Sequence, residues 1–218
     1  MRFVMKPRLL SYLMVVLIAA AANVPVRAAE LAPGPFMEGF GDRAIRVLVD
    51  TQPGTTEREV ELRRLLNDHF DVDFISRFVL ARFWRTASDE EKTEFRRVFE
   101  DYLIAAYGRR FSGFNGERFA VGQTFTHDNE RVVVRSDVVR ASGETLTVDW
   151  RVQRRTGDGA WRIVDIVVEG VSMMVTQRSE FGAVLQREGS VAALSNKLKQ
   201  IIASLNSQGL QKASSQAS

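Results

Sequence analysis

Few side chains in this chain have the type and spacing for covalent or acid–base chemistry. It contains two histidines and no cysteine, which excludes thiol nucleophiles, disulfides and cysteine-bound metal. His127 stands in the polar run His127-Asp128-Asn129-Glu130, whose composition is that of a hairpin turn, so a solvated loop explains it better than a metal or acid/base site. His69 precedes Phe70 at the end of a helical pattern, where contact with the negative end of the helix dipole is the simple account. No nucleophile elbow, Walker loop, dinucleotide fingerprint or HExxH occurs. Two carboxylates remain. Asp149 alternates with Val148 and Trp150, which places it on the polar face of a strand, whereas Asp165 shares a face by period 2 with Trp161, Ile163 and Val167. An inward Asp165 could serve as a general base in a cone-shaped enzyme; an ion pair with Arg162 or Arg178, or a place at the sheet rim, is the plainer reading. The sequence thus assigns no catalytic residue, metal or cofactor.

The richer signal is noncovalent. Ten of the twenty aromatic residues lie between positions 70 and 111, and each buries roughly 150–250 Å². That material builds either a large dry core or the wall of a dry cavity.

These side chains are carried by elements whose order is readable from apolar spacing. Phe36, Phe40, Ala44, Ile45, Leu48 and Val49 predict a first helix, broken at Gln52-Pro53-Gly54. Thr56 with Glu59 forms a capping box for a second helix through Val60, Leu62, Leu65 and Leu66. A shorter helix over Asp71–Phe83 follows, and Ser88 with Glu91 opens a long one carrying Phe95, Val98, Phe99, Tyr102, Leu103 and Tyr107. After Gly116 the period changes from 3.6 to 2, with Phe119, Val121, Val132, Val134, Val138, Leu146, Val148, Trp150 and Val152 alternating against polar neighbours. Short polar breaks at 127–130, 141–144 and 156–159 predict an antiparallel meander of about four strands ending in Trp161–Val168. Helix returns near Ser172 and again from Ser190 to Leu205, and the polar residues 206–218 predict a disordered tail. Helices, strands and helices in this order predict a single α+β domain over residues 30–205, its sheet covered on one face by the N- and C-terminal helices.

Residues 1–28 have the three parts of a cleaved export signal: Arg2, Lys6 and Arg8, an apolar run from Leu9 to Ala22, and the small-residue site Val26-Arg27-Ala28. The apolar run is shorter than the ~20 residues that span a bilayer. Cleavage removes four basic groups and no acidic one, leaving 26 against 27, so the mature chain carries no nucleic-acid footprint. The signal predicts an exported protein.

Two runs resemble a known family. They are Phe70-Asp71-Val72-Asp73-Phe74-Ile75-Ser76-Arg77-Phe78-Val79-Leu80-Ala81-Arg82-Phe83-Trp84-Arg85, and Trp161-Arg162-Ile163-Val164-Asp165-Ile166-Val167-Val168-Glu169-Gly170-Val171-Ser172 followed by Arg178, Phe181 and Leu185. They look like the MlaC or toluene-tolerance (Ttg2) family of periplasmic phospholipid-binding proteins, the similarity extending over most of residues 36–202. Ala81 stands where the resemblance leads one to expect glycine.

The resemblance implies an NTF2-like cone with added helices and an internal apolar cavity for acyl chains. It implies a carrier that exchanges phospholipid between an inner-membrane ABC transport complex with an MlaD-like subunit and an outer-membrane MlaA-like lipoprotein with porin, maintaining outer-membrane lipid asymmetry. A hopanoid-associated branch makes a polycyclic lipid the alternative cargo. Soluble carriage asks for a cavity toward the upper end of ~300–1,000 Å³. Among the helical segments the candidate lining residues are Phe74, Phe78, Trp84, Phe95, Phe99, Leu103, Tyr107, Met174 and Phe181, and on the strands and their turn Val134, Val148, Trp150, Ile163 and Val171. Flexible Met173 and Met174 suit mixed chains. Arg82, Arg85, Arg109 and Arg110 are candidates for a headgroup phosphate.

Overall fold

The computed structural model describes residues 32–108, 114–126 and 131–216, with side chains as far as Gln208. The expected export signal lies outside the described residues, as do His127 and the candidate headgroup residues Arg109 and Arg110.

Proline at the first turn opens α1 (Pro33–Asp50), which buries Met37, Phe40, Gly41 and Val47. Gly41 is a close-approach position: a methyl group there would lie 2.1 Å from the Phe119 ring. The last turn of α1 has no basic residue, and Arg58 supplies one from α2 (Thr56–His69). Arg58 is buried, donating from Nε to Thr51 Oγ1 at 3.0 Å and from Nη2 to the Leu48 carbonyl at 2.6 Å and to the Thr51 carbonyl. It thereby satisfies carbonyls that the helix end leaves open. Thr55, one residue earlier than predicted, caps α2 by accepting from the Arg58 N–H, because Thr56 already has helical geometry.

Asp71 accepts from the Phe74 N–H at 2.9 Å to cap α3 (Val72–Leu80). The predicted continuation to Phe83 changes character: Ala81, at φ 51° and ψ −122°, ends the α-helix, and a 3₁₀ turn covers Ala81–Arg85. The reciprocal Ser88–Glu91 box opens α4 (Asp89–Tyr107) as predicted.

The sheet is an open antiparallel meander in the order β1-β2-β3-β4-β5, comprising β1 (Arg118–Thr126), β2 (Arg131–Val139), β3 (Thr145–Arg154), β4 (Trp161–Val168) and β5 (Val171–Ser172). The added fifth strand is the two-residue return of the Glu169-Gly170 turn, both residues at positive φ. The β1–β2 ladder slips between Val121 and Thr124. A second irregularity pairs Arg151 with Asp165 but Val152 with Ile163, leaving Val164 as an extra residue.

Ser172 caps α5 (Met173–Glu188), which ends at left-handed Gly189. The final helix, α6 (Val191–Gln216), continues past Asn206, where the sequence predicts a disordered tail. Serine, glutamine, lysine and alanine there remain compatible with a helix already nucleated by the packed turns around Leu194 and Leu198.

Two buried clusters result. The helical one joins α3, α4, α5 and α6, with Phe95 stacked on Phe99 at 5.5 Å and Phe181 edge-on to both. The other lies under the sheet, where Phe40 meets Trp150 and Phe119, and the Trp150 Nε1–H donates to Ser136 Oγ at 2.8 Å. Phe70 packs against both clusters, its strand-like bridge to Ile163 tying the end of α2 to β4.

Candidate functional site

A partly enclosed pocket of about 240 Å³ lies where these clusters meet. α1 lines it with Phe40, Ala44 and Leu48, and α2 with Leu62, Leu65 and Leu66. Phe70 and Ile75 follow, then Phe99, Leu103, Ile104, Tyr107 and Gly108 along α4. Trp150, Val164, Asp165 and Ile166 come from the sheet, and Met173, Met174 and Gln177 from the start of α5. Most of these apolar residues are only half-buried, although the helices carrying them could have packed them as core. The pocket is smaller than the sequence argument asks for, and its walls are the apolar chemistry that argument expects.

Of the predicted lining residues, Phe99, Leu103, Tyr107, Trp150 and Met174 border this pocket. The others lie elsewhere. Phe95 and Phe181 are buried in the helical cluster, and Val134, Val148 and Ile163 in the sheet cluster. Phe78 lies beneath the Arg178 guanidinium, Trp84 lies near Arg77 and Lys92, and Phe74 borders a separate polar cleft. Val171 is exposed. Helical spacing gives these aromatics one amphipathic signature, and only the tertiary arrangement separates those facing a gap from those facing another helix. Sequence reasoning missed the contribution of α1 and α2. Their apolar stripes were visible, but nothing in a stripe says whether its partner is a sheet or a void. Arg82 and Arg85 are exposed and do not line the pocket, with Arg82 placed over the Phe83 ring.

Asp165 borders the pocket but is committed to structure. Its buried carboxylate accepts from Arg151 at 2.9 Å, from the Ser172 hydroxyl at 2.6 Å and from the Met174 N–H at 2.9 Å. The arginine is the cross-strand neighbour rather than Arg162 or Arg178, because the extra residue Val164 moves Asp165 off the face shared with Ile163. The carboxylate therefore anchors the positive end of α5. Asp149 lies on the polar face as predicted, paired with Arg135, whose hydrogen bond holds its pKa below the ordinary value. His69 is half-buried between Phe36 and Phe40, with Nδ1 3.1 Å from the Leu65 carbonyl. This contact at the last turn of α2 is the helix-end role the sequence suggests, and burial lowers the ring's pKa. Among the described residues no group of three or more potential ligands is arranged to hold a metal, and no helix is long and apolar enough to cross a membrane.

An open antiparallel sheet packed with helices, with an apolar pocket between them, defines the chain as an α+β protein. The MlaC protein family model matches residues 39–200, and the chain belongs to that family. It is 21% identical over 180 residues to the intermembrane phospholipid transport system binding protein MlaC of Haemophilus influenzae, covering 79% of this chain and 83% of that one. It is 25% identical over 130 residues to toluene tolerance protein ttg2D of Pseudomonas putida, covering 59% of this chain and 60% of that one. The fold matches that of a phospholipid-binding protein from Ralstonia solanacearum solved with a phospholipid, at a TM-score of 0.70 and 22% identity, covering 80% of this chain and 99% of the other.

Proposed function

We propose that this protein is a periplasmic phospholipid carrier that holds acyl chains in the pocket between sheet and helices. It exchanges them between an inner-membrane ABC complex with an MlaD-like subunit and an outer-membrane MlaA-like lipoprotein with porin. The observation that carries the reading is the ring of half-buried apolar side chains from α1, α2, α4 and α5 around one pocket, in a chain of the MlaC family.

The physical need is large. Exposing two chains of about 30 methylenes in all to water costs on the order of 24 kcal/mol at ~0.8 kcal/mol each. An apolar pocket replaces bilayer by protein and cancels most of that, so the net difference is small enough for release at either membrane. Acyl chains entering here push aside the side chains that now narrow the space. In this proposal Phe99, Leu103, Tyr107, Trp150 and Met174 contact the chains, and Arg109 and Arg110, which follow Gly108 in sequence, serve the headgroup.

The test is mass spectrometry of solvent extracts from protein purified out of its own envelope. Phospholipid should accompany the protein, and Leu103→Asp should retain much less than Glu94→Ala. Lipid-free wild-type protein, or equal retention by the two folded variants, would overturn the reading.

A further inference from the structure

On the outer faces of α2 and α4 the arginines are neutralised: Arg63, Arg64, Arg96 and Arg97 each face a carboxylate. One stretch departs from that pattern. Residues 74–88 carry Arg77, Arg82 and Arg85 and no acidic residue, and the flanking carboxylates are taken, Asp73 by Arg96 at 3.0 Å and Asp89 by Lys92 at 3.1 Å. All three arginines are exposed, as is Arg178 on α5. Among the described residues none of these four guanidiniums forms an ion pair or donates to an oxygen. Three of them rest on rings instead, Arg77 5.7 Å from the centre of Trp84, Arg82 5.0 Å from that of Phe83 and Arg178 4.9 Å from that of Phe78. A ring face offsets part of the charge but leaves the guanidinium's hydrogen-bond donors to seek acceptors elsewhere.

The rings are half-buried, packed on the helical cluster from which they project. Val175, one turn before Arg178, is 51% exposed. Midway along the basic run stands Ala81 at positive φ, and backbone strain of that kind gathers at functional positions. The face therefore joins unneutralised positive charge to aromatic and aliphatic surface. A layer of anionic lipid headgroups answers both, since phosphates accept from guanidiniums and tryptophan settles at headgroup level. The same two helices also line the lipid pocket, through Ile75 on α3 and Met174 and Gln177 on α5, which favours a bilayer over an acidic protein as the occupant. We propose that the end of α3, the 3₁₀ turn and the first turns of α5 form a docking face for an anionic membrane surface, with Arg77, Arg82, Arg85 and Arg178 on phosphates and Trp84 among the headgroups. This goes beyond the carrier reading and rests on it only for the choice of a bilayer.

The experiment sediments the purified protein with vesicles of phosphatidylcholine alone, or of phosphatidylcholine and phosphatidylglycerol in equal amounts. The protein should bind the mixed vesicles, release them in high salt and ignore the neutral ones. At roughly fivefold per charge, Arg82→Gln with Arg85→Gln should weaken binding on the order of 25-fold. Arg64→Gln with Arg187→Gln removes the same charge from other surfaces and should change binding by about twofold or less. Bromine-labelled lipid in the mixed vesicles should quench tryptophan emission less in Trp84→Phe than in wild type. Absence of binding to the mixed vesicles, equal weakening in the two arginine pairs, or undiminished quenching in Trp84→Phe overturns the proposal, and the first of these would make an acidic protein the occupant. The carrier reading is judged separately, by phospholipid in the solvent extract, which neither arginine pair should change.

Discussion

Ala81 is the position at which a single residue most clearly works against its backbone. At φ 51° and ψ −122° it occupies a conformation that glycine adopts freely and a side chain with Cβ resists, at a cost of about 1–3 kcal/mol. Glycine itself loses about 0.5–1 kcal/mol in backbone entropy, so Ala81→Gly should stabilise the protein by about 1 kcal/mol, read as a higher urea midpoint at unchanged slope. A lower midpoint would mean that the methyl group makes contacts outweighing the strain. Asp165 gives the opposite case. Asp165→Asn removes the charge that faces Arg151 and the N-terminus of α5, and should cost about 2 kcal/mol while lipid exchange by the folded fraction persists. Loss of exchange in well-folded protein would give this carboxylate a direct role. The ion pair read from the sequence exists, but with Arg151 rather than Arg162 or Arg178, because period-2 counting cannot see the single extra residue at Val164.

At the scale of elements the fold was largely legible. Helix starts announce themselves through local chemistry, as Ser88 and Glu91 do, and the change from helical to alternating spacing after Gly116 located the sheet. What could not be read was which surfaces approach which. Gly41 is an example: in the sequence it is an unremarked glycine within a helical run, and in the structure it is where α1 rests on the Phe119 ring. Alanine would raise helix propensity by about 1 kcal/mol, but its methyl collides with the ring, so Gly41→Ala should lower stability by a net 1–2 kcal/mol or so. A rise in the denaturation midpoint would show that α1 shifts along the sheet without penalty. The same blindness to approach explains the candidate site. Phe95 and Phe99 lie one helical turn apart and stack on each other, yet of the two only Phe99 borders the pocket.

At the scale of the whole molecule, two cores share one seam, and the pocket occupies it. A ligand there touches both and binds only when both are formed, so it stabilises the folded state by mass action. At a free concentration a hundred times the dissociation constant the gain is about 2.7 kcal/mol, which for a chain of this size corresponds to a rise in Tm of roughly 5–10 °C. Calorimetry of lipid-loaded and delipidated samples should show that difference. Identical melting temperatures would place the lipid outside the seam.

The sheet's two borders bear on how such molecules behave when crowded. An outermost strand with a straight run of unpaired amides and carbonyls invites a neighbour to extend it, and extension repeated makes fibres. Here one border, β1, is broken by its slip between Val121 and Thr124, and the other, β5, is two residues long. Neither of these two strands offers a template long enough to copy, so neither invites the extension that makes fibres.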